Sequence, residues 1–267
     1  MSKIKLIVMD LDDTLINNSL IVTDENKEAI AKAQEQGIRV TLATGRMYRS
    51  ALPYAHELGI SLPLITYQGA LIKDPLSNET ISHQPIPLSV AQEIILEIEE
   101  LGYHLNAYIN DELLVKELTL EAQYYQSVAK VPMKVVGSLQ QGLTEGPTKL
   151  LIINDEEKLD QLIEKWQQKF AGRLYITKSK PNFLEIMAAN VDKGAGVKLL
   201  SKRLNISCQE IMAIGDSYND LEMFACAGIS VAMGNARDEI KAKATYVTAS
   251  NEDSGVALAI KKYGGLK

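Results

Sequence analysis

The sequence predicts an α/β fold: a doubly wound parallel β-sheet with helices on both faces, interrupted by an inserted α+β domain that contains an antiparallel sheet. Short segments that are apolar throughout alternate with helical segments in the first and last thirds of the chain. Strands of that kind are typical of parallel sheets buried on both faces. The middle third instead alternates polar with apolar residues, which is typical of antiparallel strands with two different faces.

The two ends of the chain are predicted to form the parallel sheet and its helices. Thr23 and Asp24 indicate a helix start, and Gly37 and Gly59 each indicate a helix end. In the first third we expect strands at 4–9, 39–43 and 64–67 and helices at 24–36 and 50–58. In the last third we expect strands at 211–214, 229–233 and 246–247 and helices at 195–204, 221–225 and 255–262.

The middle of the chain is predicted to be a separate domain at 85–187, so that 1–84 and 188–267 form one discontinuous core domain. Within it, apolar residues alternate with His104, Asn106 and Tyr108, which is the pattern of a half-buried strand. The elements expected there are helices at 90–101 and 159–170 and strands at 103–109, 113–115, 150–153, 174–177 and 183–187.

Composition excludes several classes of function for a chain of 267 residues. Hydrophobic residues make up 46% and the net charge is −6, which argues against a nucleic-acid-binding protein but not against a phosphorylated substrate. No apolar run reaches the ~18 residues of a membrane span. The two cysteines, Cys208 and Cys226, match no zinc spacing. We therefore expect a reduced, cytoplasmic protein with no membrane partner.

Polar clusters follow three of the predicted core strands. Asp10, Asp12 and Thr14 follow the first strand, Thr44-Gly45-Arg46 follows the second, and 216–220 (DSYND) follows the strand at 211–214. In parallel α/β sheets, ligands bind beyond the carboxyl ends of the strands. The clusters are thus predicted to meet at one edge of the sheet and form a site.

The carboxylates in this set favour a bound cation. Two carboxylates about 4 Å apart repel by about 4 kcal/mol at an effective dielectric near 20. Oxygen donors without ligand histidines favour Mg²⁺ over zinc. Each cluster also has a structural alternative: DLDDT as a surface turn, Thr44 as a helix cap, Asn219-Asp220 as a helix cap, and Lys193 as a solvated lysine rather than an anion ligand.

With DLDDTL, TGR, DKG and GDSYND in that order, the sequence resembles the haloacid dehalogenase (HAD) superfamily of phosphatases. The insert, together with 180–186 (KPNFLEI), looks like the C2-type (IIB) cap of the Cof-like sugar-phosphatase branch. One departure is at 67–70 (YQGA), where that branch more often carries Asn before Gly-Ala. We expect this to alter a substrate or backbone contact and not the catalytic set.

The resemblance implies a role for each motif residue. Asp10 looks like the nucleophile that accepts the phosphoryl group, and Asp12 like the general acid and then base. The residues implied to hold phosphoryl oxygens are Thr44, Gly45, Lys193 and Asn219. The Mg²⁺ site is implied to consist of Asp10, the Asp12 backbone carbonyl and Asp216, oriented by Asn219 and Asp220. A neighbouring anion raises the pKa of a carboxyl group such as that of Asp12, but its distance from the metal decides the net shift, which the sequence leaves open.

The leaving group is expected to contact the insert. If helices cover the apolar face of 103–109, its polar face would lie over the active site; the alternative is a strand facing solvent. Candidate contacts are His104, Asn106, Tyr108, Tyr124, Tyr125 and Arg46. The implied partner is a small phosphorylated metabolite, whose identity the sequence leaves open, as it does the oligomeric state.

Two other functions use the same groups. A phosphotransferase or phosphomutase would pass the phosphoryl group from Asp10 to another acceptor than water. A signalling receiver would also carry an aspartyl-phosphate, but it is a single small domain whose acceptor aspartate lies on a later strand. A dehalogenase is disfavoured, because it uses neither Mg²⁺ nor Asp12 as a proton donor.

Overall fold

A computed structural model of the chain describes residues 4–265. The strands are β1 Leu6–Met9, β2 Arg39–Leu42, β3 Leu64–Thr66, β4 Leu71–Lys73, β5 Thr80–His83, β6 His104–Ile109, β7 Glu112–Val115, β8 Met133–Val135, β9 Lys149–Ile153, β10 Leu174–Lys180, β11 Phe183–Ala188, β12 Ile211–Gly215, β13 Ile229–Ala232 and β14 Tyr246–Val247. The helices are α1 Asp24–Glu35, α2 Tyr48–Glu57, α3 Leu88–Leu101, α4 Leu120–Ala129, α5 Leu139–Gly142, α6 Glu156–Lys169, α7 Lys193–Leu204, α8 Leu221–Ala225, α9 Asp238–Lys241 and α10 Gly255–Tyr263. Every predicted element is present, with ends shifted by a few residues.

The core sheet has five strands in the order β14-β13-β12-β1-β2, and every neighbouring pair is parallel. Met9, the last residue of β1, lies opposite Ile214 of β12 and Leu42 of β2. These strands therefore end together, and the residues that follow them, including Asp10 and Asp216, lie at one edge of the sheet.

Helices cover both faces of this sheet. Successive residues of a strand point to opposite faces. Ile7 and Met9 pack with residues of α1, α2 and α10, whereas Leu6 and Val8 pack with residues of α7 and α8. The doubly wound arrangement predicted from the apolar strands is confirmed.

Strand β3 was expected in the parallel core sheet, but it pairs with β4 instead. It begins a three-stranded antiparallel sheet in the order β3-β4-β5 and joins the core sheet through a parallel bridge between Ala43 and Ile65. The chain reverses at the turn Tyr67–Gly69, where Tyr67 and Gln68 have φ of 50° and 59°. Non-glycine residues seldom adopt this left-handed conformation, so the hydrophobic pattern did not predict the reversal.

The insert contains a six-stranded sheet in the order β10-β11-β9-β6-β7-β8. Neighbours are antiparallel, except that β8 runs parallel to β7. On one face, Leu105 and Ala107 pack with Trp166 of α6.

Six elements of the whole fold have no counterpart in the predictions. Helix α4 is only weakly amphipathic, and the other five span three or four residues: α5, α9, β4, β5 and β8.

The opposite face of β6 is also buried. Asn106 and Tyr108 are fully buried, and Tyr108 belongs with Phe183 to a hydrophobic cluster that includes Leu11 of the core domain. The half-buried strand predicted here is therefore wrong, as is the alternative of a face open to solvent. The alternating residues of β6 therefore point into two different buried environments: one face packs under the helices of the insert and the other packs against the core domain. Between residues 4 and 265, no helix is long and apolar enough to cross a bilayer.

Candidate active site

The site begins at the end of β1. The Asp10 backbone N–H donates to the Ile214 carbonyl at 2.9 Å, which continues the sheet ladder by one residue. The chain then forms a wide turn, Leu11–Leu15, in which Asp13 has φ of 56°. The turn presents Asp10 and Asp12 at the sheet edge, so DLDDT is a turn whose carboxylates line a cavity rather than the outer surface.

Lys193 is the first residue of α7 and is only 1% exposed. Its Nζ donates to Asp10 Oδ1 at 2.5 Å and to Asp220 Oδ1 at 2.6 Å. Burial alone would lower the pKa of Lys193, but the two carboxylates raise it well above its usual value. They also offset the unfavourable position of a cation at a helix N-terminus. The alternative of a solvated lysine is wrong.

Three carboxylates share this environment. Oxygens of Asp10, Asp216 and Asp220 lie within 4.8 Å of one another. Burial raises the pKa of Asp10 to about 8, although Lys193 opposes the shift. Burial, together with the charges of Asp220 and Asp10, also raises the pKa of Asp216. Such a cluster favours a further cation, and its all-oxygen donors fit Mg²⁺.

The loop after β12 orients the cluster. Asp220 Oδ2 accepts from the backbone N–H groups of Asp216 and Ser217 at 2.8 and 3.0 Å, while its Oδ1 accepts from Lys193. Asp220 thus closes the turn that precedes it and pairs with the lysine, but its side chain makes no capping bond to α8, so the alternative of a helix cap gains no support from its side chain. Thr14 Oγ1 donates to Asp216 Oδ1 at 2.8 Å and fixes that carboxylate.

Asn219 is buried beside these groups. Its Nδ2 donates to Gln68 Oε1 at 3.1 Å, whereas its Oδ1 has no hydrogen-bond partner among the described residues. A buried amide oxygen without a partner fits a role toward a cation, because it can accept but cannot donate to a phosphoryl oxygen. The departure at 67–70 thus contacts Asn219, which is predicted for the phosphate and metal sites, and it makes no side-chain hydrogen bond to the predicted catalytic residues Asp10 and Asp12.

Asp12 lies against a cation that the sequence analysis did not assign to it. Arg46 donates to it from Nε at 2.8 Å and from Nη2 at 2.7 Å. Burial acts to raise the pKa of Asp12, but the hydrogen bonds and charge of Arg46 outweigh it, so the pKa lies below its usual value. The net shift that the sequence leaves open is thus downward in this structure, because the group that bonds the carboxylate is a guanidinium and not an anion.

Thr44 and Gly45 occupy the loop after β2. Thr44 is fully buried, and its Oγ1 accepts from the Arg46 backbone N–H at 3.1 Å. Helix α2 begins later, after Met47, so Thr44 does not cap it. Gly45 lines the cavity, and its carbonyl accepts from Lys149 Nζ at 2.6 Å.

A cavity of about 70 Å³ lies between the core and the insert and is lined by several of these groups, while Lys193, Thr44 and Asp220 do not line it. From the core it is lined by Asp10, Asp12, Gly45, Arg46, Asp216 and Asn219, among others. From the insert it is lined by residues that include Tyr125, Lys149, Ser179, Lys180, Phe183 and Glu185. A cleft of about 660 Å³ adjoins it and shares Ser179, Lys180 and Asp216.

The lining residues from the insert were mostly missed by sequence reasoning. Lys149 and Glu185 are 1% and 4% exposed, and they pair at 3.3 Å. The signal that could have found them is a single charge within an otherwise apolar strand, as in KLLII and FLEIM. Buried charges are rare unless they are paired.

The predicted contacts on β6 lie elsewhere. His104 bonds Thr119 Oγ1 through Nδ1 and Asn106 Oδ1 through Nε2, at 3.0 and 2.8 Å. Neither His104 nor Asn106 lines the cavity, and Tyr108 lies behind Lys149, whose Nζ is 5.0 Å from its ring centre. Of the two tyrosines on α4, Tyr125 lines the cavity and Tyr124 is 46% exposed. The predicted role of the β6 residues in substrate binding gains no support from this placement.

Comparison with known proteins extends over the whole chain. The family model of the haloacid dehalogenase-like hydrolases matches residues 7–260. The 5-amino-6-(5-phospho-D-ribitylamino)uracil phosphatase YwtE of Bacillus subtilis is 33% identical over 284 residues, covering 96% of this chain and 96% of that protein. A haloacid dehalogenase-like hydrolase from Bacteroides thetaiotaomicron, 31% identical, superposes with a TM-score of 0.88 over 97% of this chain and 99% of that one.

The insert is matched as well as the core. The HAD subclass IIB sugar phosphatase BT4131 superposes with a TM-score of 0.87 over 97% of this chain and 99% of its own, at 23% identity, a similarity that shows the shared fold. A full-length match to hydrolases contradicts the alternative of a signalling receiver. Because the similarity runs through core and insert alike, the chain belongs to the haloacid dehalogenase-like hydrolases, as a phosphatase of that family.

Proposed function

We propose that this phosphatase requires Mg²⁺ and hydrolyses small phosphorylated metabolites, such as sugar or sugar-alcohol phosphates, through an aspartyl-phosphate on Asp10. The observation that carries the proposal is the buried Lys193 Nζ, 2.5 Å from Asp10 Oδ1 within a cluster of carboxylates. Bound Mg²⁺ would favour the ionised form of Asp10 over the protonated form that burial favours, and an ionised carboxylate attacks without a base. The lysine offsets the repulsion between that carboxylate and an incoming phosphate.

The reaction has two steps. In the first, an oxygen of Asp10 attacks phosphorus, the bond from phosphorus to the leaving oxygen breaks, and Asp12 gives that oxygen its proton. In the second, a water oxygen attacks phosphorus and gives a proton to Asp12. The bond between phosphorus and Asp10 then breaks, which releases phosphate and restores both carboxyl groups.

Charge and position provide most of the rate enhancement. Phosphate-monoester hydrolysis needs up to ~10²¹-fold acceleration, of which general acid catalysis supplies about 10²–10⁴. The rest must come from groups that hold the phosphoryl oxygens in place. In this site those groups are Lys193, Thr44, the backbone of Gly45 and the second N–H of Asn219 Nδ2, since the first N–H donates to Gln68.

The cofactor would be held by Asp10, Asp216 and the backbone carbonyl of Asp12, with Asn219 and Asp220 orienting them. Bound Mg²⁺ supplies positive charge that offsets the charge of the phosphoryl group and of its own carboxylate ligands. Burial raises the pKa of Asp10 and of Asp216, and the charges of neighbouring carboxylates add to the rise, so a cation bound between these carboxylates would favour their ionised forms.

Asp12 changes protonation during the cycle. Its ion pair with Arg46 favours the ionised form, which is the form that accepts a proton from water. The phosphate of the substrate adds negative charge beside Asp12, and a neighbouring anion raises the pKa of a carboxyl group. Arrival of the substrate thereby favours the protonated form that the first step needs.

The polar groups of the insert support a hydroxylated leaving group. Lys149, Ser179 and Glu185 line the cavity and offer both donors and acceptors. YwtE is named as a phosphatase of a ribitylamino phosphate, whose chain carries hydroxyl groups. The net charge of −6 argues against a polymeric nucleic-acid substrate. The free thiols of Cys208 and Cys226 support a location in the reducing cytoplasm.

The test is phosphate release from p-nitrophenyl phosphate and from a panel of sugar, ribitol and nucleotide phosphates, with Mg²⁺ and with EDTA. We expect repeated turnovers that need Mg²⁺ and that vanish in Asp10→Asn. Asp24→Asn is the control, because that side chain is 98% exposed at the start of α1. Normal turnover in Asp10→Asn would disprove the nucleophile assignment.

A phosphotransferase is distinguished in the same experiment. If the phosphoryl group stays on Asp10 without turnover and leaves only by transfer to an added sugar, the protein is a phosphotransferase and not a hydrolase. Phosphate release at an unchanged rate with and without added sugars supports the hydrolase.

A further inference from the structure

The Tyr67–Gly69 turn contacts the loops that carry the active-site motifs. The backbone N–H of Gln68 donates to the Thr44 carbonyl at 3.0 Å. A Cβ added at Gly69 would lie 2.5 Å from the backbone oxygen of Asp192, the residue that caps α7. Gln68 holds φ of 59°, a conformation that persists in non-glycine residues where the surroundings impose it.

The side chain of Gln68 connects the insert to the loop after β12. Its Nε2 donates to Glu185 Oε2 at 2.6 Å, and its Oε1 accepts from Asn219 Nδ2 at 3.1 Å. The side chain is fully buried and does not line the cavity. Gly45 leaves room for it, because a Cβ there would lie 2.4 Å from Gln68 Nε2.

The insert fixes its own end of this connection. Glu185 Oε1 accepts from Ser179 Oγ at 2.8 Å and from Lys149 Nζ at 3.3 Å. Lys149 also donates to the Gly45 carbonyl at 2.6 Å. The position of Glu185 is therefore set by β9 and β10, and it reaches the core only while the insert is packed against it.

We propose that Gln68 is a positioning residue that makes turnover depend on docking of the insert, by transmitting the position of Glu185 to Asn219. The inference rests on the proposed function, in which Asn219 contacts the phosphoryl group. Asn219 Oδ1 has no hydrogen-bond partner among residues 4–265, so its direction depends on the bond that its Nδ2 makes with Gln68. When the insert separates from the core, Gln68 loses its acceptor and Asn219 loses a fixed orientation.

The connection can be tested by reversing one hydrogen bond. In Gln68→Glu, the new carboxylate at position 68 faces the carboxylate of Glu185. In Glu185→Gln, the new amide has only one oxygen, so it cannot accept from Gln68, Lys149 and Ser179 as the carboxylate does. In the double variant, the amide at 185 donates to the carboxylate at 68, which still accepts from Asn219. The readouts are kcat and KM for p-nitrophenyl phosphate, with unfolding in urea to confirm that each protein is folded.

We expect each single variant to lower kcat by about tenfold or more, as loss of a hydrogen bond to a charged group would. The double variant should recover to within about threefold of the wild type, because coupled residues are non-additive. KM should change less than kcat, since Gln68 does not line the cavity. Gln123→Glu on the exposed surface of α4 is the matched control.

Two results separate this inference from the proposed function. A wild-type protein that releases no phosphate would overturn the proposed function. An active wild type with a double variant no better than its worse single variant would overturn the role of Gln68 alone. If Gln68→Glu does not fold, Gln68→Met keeps a similar length without hydrogen bonds; we expect the same fall in kcat, and wild-type kcat in that variant would also overturn the inference.

Discussion

Arg46 donates two hydrogen bonds to the carboxylate of Asp12, from Nε at 2.8 Å and from Nη2 at 2.7 Å. The pair joins the loop after β2 to the loop after β1 and places a permanent cation on the proposed acid and base. Arg46 also lies 5.4 Å from the ring of Tyr54 and donates to Ser50, so its guanidinium has a fixed orientation. Arg46 was predicted to contact the substrate; in the structure its main contact is with Asp12, whose pKa it lowers.

Replacing Arg46 by Met should change how stability depends on pH. The lowered pKa of Asp12 contributes stability that is complete above the unfolded value of 3.8 and is lost as pH falls through the folded value. Without Arg46, the group that lowers this pKa most is gone, so the stabilising contribution at neutral pH shrinks. The wild type should thus exceed Arg46→Met in unfolding free energy by about 2 kcal/mol at pH 7, and by less near pH 3.

Urea unfolding between pH 3 and pH 7 measures this difference. Lys134→Met on the exposed strand β8 is the control and should track the wild type. A stability gap that is independent of pH would show that Arg46 acts through packing and not through the charge of Asp12.

Replacing Lys193 by Met should lower kcat/KM by about 10² to 10³, the usual effect of removing one donor to a developing charge. The variant should stay folded, because Asp10 can take up a proton when the cation is gone. Steady-state kinetics with p-nitrophenyl phosphate measure the effect, and Lys198→Met, exposed on the same helix, is the control. Unchanged kinetics would make Lys193 a structural lysine.

Mg²⁺ should stabilise the folded protein. A ligand at 100 times its Kd adds about 2.7 kcal/mol to the unfolding free energy, provided that it binds only the folded state. We expect a higher Tm in Mg²⁺ than in EDTA for the wild type, and little difference for Asp216→Asn. This readout needs no substrate. Equal Tm values for the wild type in both buffers would argue against a magnesium site at these carboxylates.

Adding a methyl group at Gly69 should disturb the site through the backbone. Gly69 has φ of 104°, and the new Cβ would lie 2.5 Å from the Asp192 carbonyl oxygen, so the loop that carries Lys193 must move. Gly37→Ala is the matched control, because Gly37 also has positive φ but no atom within 4 Å of the added Cβ. Gly69→Ala should lose more kcat and more stability than this control, in kinetics and urea unfolding; equal losses would mean that the clash with Asp192 is relieved without effect.

The elements and the motif residues of the core could be predicted because their signals are local. An apolar run marks a buried parallel strand wherever it occurs, and the rule that parallel strands bind ligands at their carboxyl ends brings Asp10, Thr44 and Asp216 together without coordinates. Strands β4 and β5 were not predicted in this way, because three or four residues are too few to show a hydrophobic pattern.

The sequence by itself determined the fold class, the insert and the residue types at the sheet edge, because hydrophobic period and motif order are properties of neighbouring residues. Only the tertiary structure decided that Arg46 neutralises Asp12, that Asn106 and Tyr108 are buried, and that Gln68 connects Glu185 to Asn219. The last two partners lie 117 and 151 residues from Gln68 along the chain. Contacts at that distance depend on how the insert packs on the core and on where each side chain points, and no local pattern records either.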